Sequence, residues 1–333
     1  MPAPYPWQSQ IWTRLLGMRT RLPHSALLAG SKGIGKRAIA QAWAQSLLCE
    51  SPMQDGDACG HCEACHWMAA GTHPDFMYLT LQEKETKEGE IKIAKEIVVD
   101  QAREAVEFVH LSTYRAGRRV VLIQPAEALN NAAANALLKV LEEPPINTLF
   151  ILLSHQPRQL LPTILSRCHK LDMGLPNSAD MQSWLAQHKL DSHALAWTGG
   201  APLAALEARE SGDLETRHWM AEALADPKTM DSVTLAEAWN KKVPAQVWHQ
   251  VSYKWLLDLL ACSQGVLPTF NPDYTRPLQA LAKQVNLATL LELTRQESIS
   301  GRWVEHPLNR QMLMEAWMIE YNRIFEGRQH GRQ

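Results

Sequence analysis

The 333-residue sequence contains no apolar run near the ~20 residues that a membrane-spanning helix requires, so a spanning protein is not expected. It has no excess of one charge. Its 33 Lys and Arg face 35 Asp and Glu, a formal net charge of -2, which argues against a chain that grips nucleic acid through bulk charge. Met1 to Trp7 carry proline and aromatics but no basic stretch leading into an apolar one. No secretory signal is therefore expected, and the chain reads as cytoplasmic, without membrane attachment. Internal repeats and low-complexity tracts are also missing. Cysteine is scarce, at six residues, and in a cytosolic chain such thiols are metal ligands or free groups before they are disulfides. Apolar side chains are plentiful, at 46%, enough for the cores of two or three domains.

The most informative absence is local. Gly30-Ser31-Lys32-Gly33-Ile34-Gly35-Lys36-Arg37 follows the apolar run Ser25 to Ala29 and leads into a helix expected over Arg37 to Cys49. Strand, glycine-rich turn and helix are the setting of a phosphate-binding loop, where backbone N–H groups and the positive helix end face an anion. Gly30, Gly33 and Gly35 supply the turn, and Lys36 stands where the phosphate-binding lysine belongs. The next position should be Ser or Thr, whose hydroxyl ligates Mg²⁺; it is Arg37, which repels a cation. A second ligand is missing farther on. The buried strand expected at Val120 to Ile123 should end in an Asp that helps hold Mg²⁺, with a catalytic Glu after it. It runs instead into Gln124 and Pro125, and Glu127 lies three residues past the Asp position. The pattern describes a cradle that leaves room for ATP or ADP to dock but has no competent Mg²⁺ site.

The cysteines gather. Cys49 is followed by Cys59, Cys62 and Cys65, the last three at the two-residue gaps of tetrahedral metal sites. Four sulfurs with no open position point to a structural Zn²⁺. An iron–sulfur cluster uses the same ligands, and His61, His66 and His73 are nearby alternatives. Residues 49–70 contain Glu50, Asp55, Asp57 and Glu63 but no Lys or Arg, which suits a structural or protein-contact module better than a nucleic-acid finger.

The remaining elements follow from periodicity and end signals. Tyr5 to Leu22 should approach a helix with Trp7, Ile11 and Leu15 on its buried face. Asp75 to Leu81 has strand character, Gln82 to Glu90 is a charged loop, Asp100 is the expected cap of a helix from Gln101 to Leu111, and Arg115 to Arg119 is a basic turn. Asn130 to Glu143 reads as a helix stopped by Pro144 and Pro145. Thr148 to Leu153 is a strand with Ser154 at its tip, Leu160 to Leu165 a short helix, and His169 to Met173 a last strand. Beyond Pro176 only helices are expected, with a turn at Gly199-Gly200-Ala201-Pro202, a loop from Gly265 to Pro277 and a frayed tail from Gly327 to Gln333. Trp219, Trp239, Trp248, Trp255, Trp303 and Trp317 should anchor a core or an interface.

Six features stand in order along the chain: the loop at Gly30, the cysteines from Cys49 to Cys65, and Gly71-Thr72-His73-Pro74-Asp75 come first. Ala132-Ala133-Ala134-Asn135-Ala136-Leu137-Leu138-Lys139 then leads to Leu141-Glu142-Glu143-Pro144-Pro145, and Ser166-Arg167-Cys168 follows. Together they resemble the delta-prime family of bacterial DNA polymerase III clamp-loader subunits, within the AAA+ ATPases. The resemblance implies an α/β AAA+ P-loop domain with a parallel sheet over 1–173, carrying a zinc module at 49–65. A small helical lid domain at 174–210 and an all-helical collar domain at 211–333 would complete the chain. It implies gamma/tau ATPase subunits and a delta subunit as partners in a hetero-pentameric open ring. Through that complex it implies the sliding clamp and primer–template DNA. The chain would have no ATPase of its own. It would belong to the DNA polymerase III holoenzyme, a DNA-directed DNA polymerase and hence a nucleotidyltransferase, bracing the ring during replication. Arg167, flanked by Ser166 and Cys168, would enter the ATP site of the neighbouring ATPase subunit as an arginine finger. The arginine that the family's lid often carries near the paired glycines is absent, since Ala201, Pro202 and Leu203 follow Gly200. Two other readings compete: an active ATPase of the same fold using Lys36 with Glu127, Glu142 or Glu143, and a zinc-dependent nucleic-acid-binding protein.

Overall fold

The computed structural model of the chain describes residues 4–85, 91–114, 117–176, 178–300 and 309–326. Two compact units form, Met1–Trp184 and Leu185–Gln333.

The first unit opens with α1 (Ser9–Gly17), β1 (Ser25–Ala29), α2 (Lys36–Leu48), α3 (Glu63–Ala70) and β2 (Phe76–Thr80). A short hairpin of β3 (Glu83–Glu85) and β4 (Ile91–Ile93) leads to α4 (Val99–His110), β5 (Arg119–Gln124) and α5 (Asn131–Glu142). Then come β6 (Thr148–Ser154), the single turn α6 (Pro162–Leu165) and β7 (His169–Asp172), and α7 (Ser178–Gln187) runs across the boundary at Trp184. Five strands make one parallel sheet in the order β2-β5-β6-β1-β7. Helices cover both faces of such a sheet, so its strands are apolar throughout, and β1 and β6 are buried at every residue. Alternate side chains go to opposite cores. Leu27, Val121, Phe150 and Leu152 pack with Ala105 of α4 and Leu137 and Val140 of α5. Ala26, Leu28, Leu122, Ile151 and Leu153 pack with Leu15 of α1 and Ile39, Trp43 and Leu47 of α2. Each large aliphatic side chain buried this way contributes about 1.5–3 kcal/mol. Because all five strands run the same way, the sheet has two distinct edges. Its C-terminal edge carries Gly30, Gln124 and Ser154; its N-terminal edge carries His24, Arg118, Asn147 and Arg167.

Local departures from expectation have identifiable causes. Asn130 caps α5 as helix chemistry favours, accepting from the Ala133 N–H at 2.9 Å. Asp100 does not cap α4. Val98 holds that position, and Gln101 closes the first turn, accepting from the Val98 N–H at 3.2 Å and donating to the Thr80 carbonyl at 2.9 Å. Asp100 lies in the first turn, paired with Arg103. The charged loop expected at Gln82 to Glu90 is partly strand, because Glu83–Glu85 pairs antiparallel with Ile91–Ile93. Backbone pairing there does not depend on the charge of the side chains; residues 86–90 lie outside the described residues. Arg119 is no turn residue: it begins β5 and is buried 3.7 Å from Asp75. Arg115, Trp303 and the tail from Gly327 also lie outside the described residues. Remaining ends shift by one or two residues, α2 starting at Lys36, α6 at Pro162 and β7 ending at Asp172.

The second unit is helical: α8 (Ser192–Trp197), α9 (Pro202–Glu210), α10 (Asp213–Ala225), α11 (Ser232–Lys242), α12 (Ala245–Ser263), α13 (Thr275–Ala282), α14 (Leu287–Ser300) and α15 (Arg310–Arg323). Trp239, Trp248, Trp255 and Trp317 lie in its core, and Trp219 packs against it. Trp255 Nε1 donates to Tyr321 Oη at 2.8 Å, which donates to the Leu224 carbonyl at 2.7 Å. Gly199 and Gly200 turn the chain from α8 to α9 with φ of 67° and 84°. The proline-containing loop is shorter than expected, because α13 already begins at Thr275 with Pro277 in its first turn. Asp258 fixes that loop by accepting from the Thr269, Phe270 and Asn271 N–H groups. No helix among the described residues is long and apolar enough to cross a membrane.

Candidate functional site

β1 delivers the chain to Gly30 and α2 leaves from Lys36. Gly35 holds the N-cap of α2 at φ 88°, and a Cβ there would lie 2.7 Å from Gln8 Nε2 and 2.8 Å from the Tyr5 ring. Backbone and space both require glycine. Residues 5–8, expected only as an approach to a helix, close over this turn. Gln8 Nε2 donates to the Ile34 and Gly35 carbonyls at 3.0 Å each, and Trp7 Nε1 donates to the Ile34 carbonyl at 3.0 Å. Lys36 is buried and turned back, its Nζ donating to the Gly30 and Ser31 carbonyls at 2.6 Å each. Burial lowers its pKa to about 8, against the pull of Glu127. A left-handed glycine turn ahead of a 13-residue helix, with a lysine at its mouth, fits a phosphate.

The same loop does not fit Mg²⁺. The Arg37 guanidinium lies over the Tyr78 ring, 5.1 Å from its centre, and Tyr78 Oη donates to Gln124 Oε1 at 3.0 Å. The two positions that should hold the metal are thus joined through a β2 tyrosine that sequence reading did not single out. Its only sequence signal was a polar aromatic in an apolar strand. Mg²⁺ needs oxygen ligands near 2.1 Å in octahedral array. Here a guanidinium and a neutral amide stand in place of a hydroxyl and a carboxylate.

Of the three acids considered as substitutes, Glu127 alone acts on the loop. Its charge reaches Lys36, and its Oε1 accepts from the His155 N–H at 2.9 Å while Oε2 is buried without a hydrogen-bond partner. Burial first, then Lys36, pushes the His155 pKa down. Glu142 and Glu143 close α5 at the other edge of the sheet.

Cys49, Cys59, Cys62 and Cys65 converge, with all four Sγ atoms within 4.8 Å of one another. The Cys49–Cys59, Cys49–Cys62 and Cys59–Cys65 sulfur separations are 3.5, 3.8 and 4.0 Å. A tetrahedron with ~2.3 Å metal–sulfur bonds has edges of about 3.8 Å, so the set fits a tetrahedral metal ion. Backbone N–H groups of Cys59, Cys62 and Cys65 donate to sulfurs at 3.3 to 3.4 Å. Burial pushes Cys65 up to about 12, whereas N–H donation, from His61 first, pulls Cys59 down to about 7. A bound cation would favour the thiolate at all four. His61, His66 and His73 are outside the set. His73 instead accepts from the Asp75 N–H at 3.0 Å, and Asp75 accepts from the Tyr114 N–H, so that motif is structural.

Arg167 lies two residues before β7, at the N-terminal edge, where Ser25 Oγ donates to its carbonyl at 2.6 Å. Its guanidinium donates to Glu142 Oε2 at 3.0 Å and to the Thr163 carbonyl at 3.1 Å. Beside it, burial pushes Cys168 up to about 11. Ser25 starts β1 and Gly30 follows its end, so roughly 13 Å of strand separates Arg167 from the phosphate loop of its own chain.

Residues 8–176 match the family described as DNA polymerase III, delta subunit, and residues 211–323 match DNA polymerase III, delta subunit, C terminal. The chain is 38% identical to DNA polymerase III subunit delta' of Pseudomonas aeruginosa, over 95% of its length and 97% of that protein. It is 32% identical to the Escherichia coli subunit delta', over 86% and 85% of the two chains. A narrower likeness, 34% over 44% of this chain and 21% of the other, reaches the Escherichia coli DNA polymerase III subunit tau. Among solved structures, a DNA polymerase III gamma subunit-related protein of Thermotoga maritima is 16% identical, covering 94% and 99% of the two chains at a TM-score of 0.40. The chain belongs to the family of DNA polymerase III delta-prime subunits.

Proposed function

We propose that this chain is a clamp-loader subunit that hydrolyses no ATP itself and lends Arg167 to the ATP site of a neighbouring ATPase subunit. The observation that carries this reading is the position of Arg167, at the sheet edge opposite its own phosphate loop. From there its guanidinium lies away from its own chain's phosphate loop, and in a neighbour's site it would neutralise charge on the γ-phosphate as the bond breaks. Its contact with Glu142 is half exposed, with the carboxylate side chain at 60%, and such a pair is worth about 1 kcal/mol or less. Docking on a partner therefore releases it at small cost.

The Arg37–Tyr78–Gln124 chain supports the absence of hydrolysis at its own loop. Gly30, Gly33, Gly35 and Lys36 would bind nucleotide without a metal. Cys49, Cys59, Cys62 and Cys65 would hold a structural Zn²⁺. On this reading the lid occupies 174–210 and the collar 211–333, in a cytoplasmic hetero-pentamer with gamma/tau and delta subunits that loads the sliding clamp on primed DNA. Purified alone with MgATP, the chain should show no turnover above background. Turnover that Lys36→Ala abolishes would favour the ATPase reading, with Glu127 as its acid. Reconstituted with its partners, the Arg167→Ala variant should assemble normally yet lose DNA-stimulated turnover at the adjoining site, by about 10³-fold or more there.

A further inference from the structure

The N-terminal edge of the sheet carries a second feature that the finger does not explain. A surface cleft of about 300 Å³ is lined by Arg19, Thr20, Arg21, His24, Arg118 and Asn147. Three arginines and a histidine line it, and among the described residues none of those lining the cleft is acidic. The chain's overall charge of -2 makes this a local reversal and not a reflection of composition.

Two of the arginines are constrained by their surroundings. Arg19 donates to the Gly56 carbonyl at 2.6 Å, and Gly56 lies in the loop between Cys49 and Cys59. Arg118 immediately precedes β5 and is half-buried. Its guanidinium is pressed below its usual pKa by burial first, and then by the like charge of Arg19. Arginine is rarely buried without a counter-charge, and two guanidiniums close enough to repel each other raise that cost. Asn147, at φ 61°, turns the chain into β6, and its carbonyl accepts from the Arg119 N–H at 2.9 Å, which sets Arg118 beside it.

We propose that this cleft binds a phosphate group. Guanidinium forks match phosphate oxygens two at a time. The Thr20 hydroxyl and the Asn147 amide add neutral donors, and the volume admits a phosphate with its ester neighbour. The site is separate from the glycine loop, since the two lie at opposite edges of one parallel sheet. It is also independent of Arg167 serving a partner.

The test uses the full chain carrying Lys36→Ala, so that the glycine loop does not contribute. Titration calorimetry at low salt would use two probes, inorganic pyrophosphate and a short oligodeoxythymidylate. Binding of either should persist in this background and weaken about tenfold or more in Arg118→Gln and in Arg21→Gln. Arg21 is exposed, so its variant tests the site even where Arg118→Gln perturbs folding. Pyrophosphate binding alone would identify a small phosphorylated ligand. Oligonucleotide binding with a log–log salt slope near -0.7 per contact would identify a nucleic-acid backbone. Either outcome supports the site. Failure of both probes to bind, or binding that both arginine substitutions leave unchanged, would overturn it.

Discussion

At Lys36 the ammonium that a bound triphosphate would meet is shared between two carbonyls of its own loop. Its folded pKa, about 8, lies below the ordinary 10.5 because burial disfavours the charge. Between those values the unfolded chain holds a proton that the folded chain has released, so stability rises with pH across that window. Below pH 8 the burial penalty is felt in full. Wild type should therefore gain on a Lys36→Met variant by on the order of 2–3 kcal/mol between pH 8 and 10.5 in urea titrations. A pH-independent difference would contradict the burial of this charge. Lys36, Arg37 and Gln124 were legible in the sequence because each stands at a fixed spacing from a motif. Tyr78 was not, because its partnership with Gln124 depends on the register of β2 against β5, with Thr80 opposite Gln124. Gln8 and Trp7 were invisible for a related reason, as they bond to carbonyls 26 and 27 residues away.

At the scale of elements, what can be read from sequence is what is determined locally. The cysteine module follows from its spacing, and its four sulfurs do converge. Metal analysis of protein purified under reducing conditions should find about one Zn²⁺ per chain, and Cys65→Ser should reduce this to a small fraction and lower the melting temperature. A wild-type chain without metal would remove the site. The module is tied to α1 by Trp12 Nε1, which donates to Asp57 Oδ1 at 2.8 Å, and to the turn after α1 by the Arg19 contact to Gly56. Losing the metal should thus also loosen α1. α5 was legible from Asn130 and Pro144 for the same local reason. The start of α4 was misread because Asp and Gln both close first turns, and the choice rested on Gln101 reaching back to Thr80. The β3-β4 hairpin was missed because β3 is wholly charged and β4 offers only the three residues Ile91 to Ile93, too short a run for an alternating pattern to stand out.

For the whole molecule, the proposed function rests on the parallel sheet. It puts the end of every strand on one side and the start of every strand on the other, so the glycine loop and Arg167 face away from each other. A sequence motif names Arg167 but not its side of the sheet; strand order and direction supply that. On the proposed reading, a subunit built this way would keep a phosphate cradle of its own at one edge and offer an arginine to a neighbour at the other. The most direct measurement is DNA-stimulated ATP turnover by the reconstituted complex, with this chain as wild type, Arg167→Ala or Arg167→Lys. The account predicts normal assembly in all three, with turnover lost at one site in both variants, because an ammonium cannot replace the planar guanidinium fork. Undiminished turnover in the Arg167→Ala complex would contradict it.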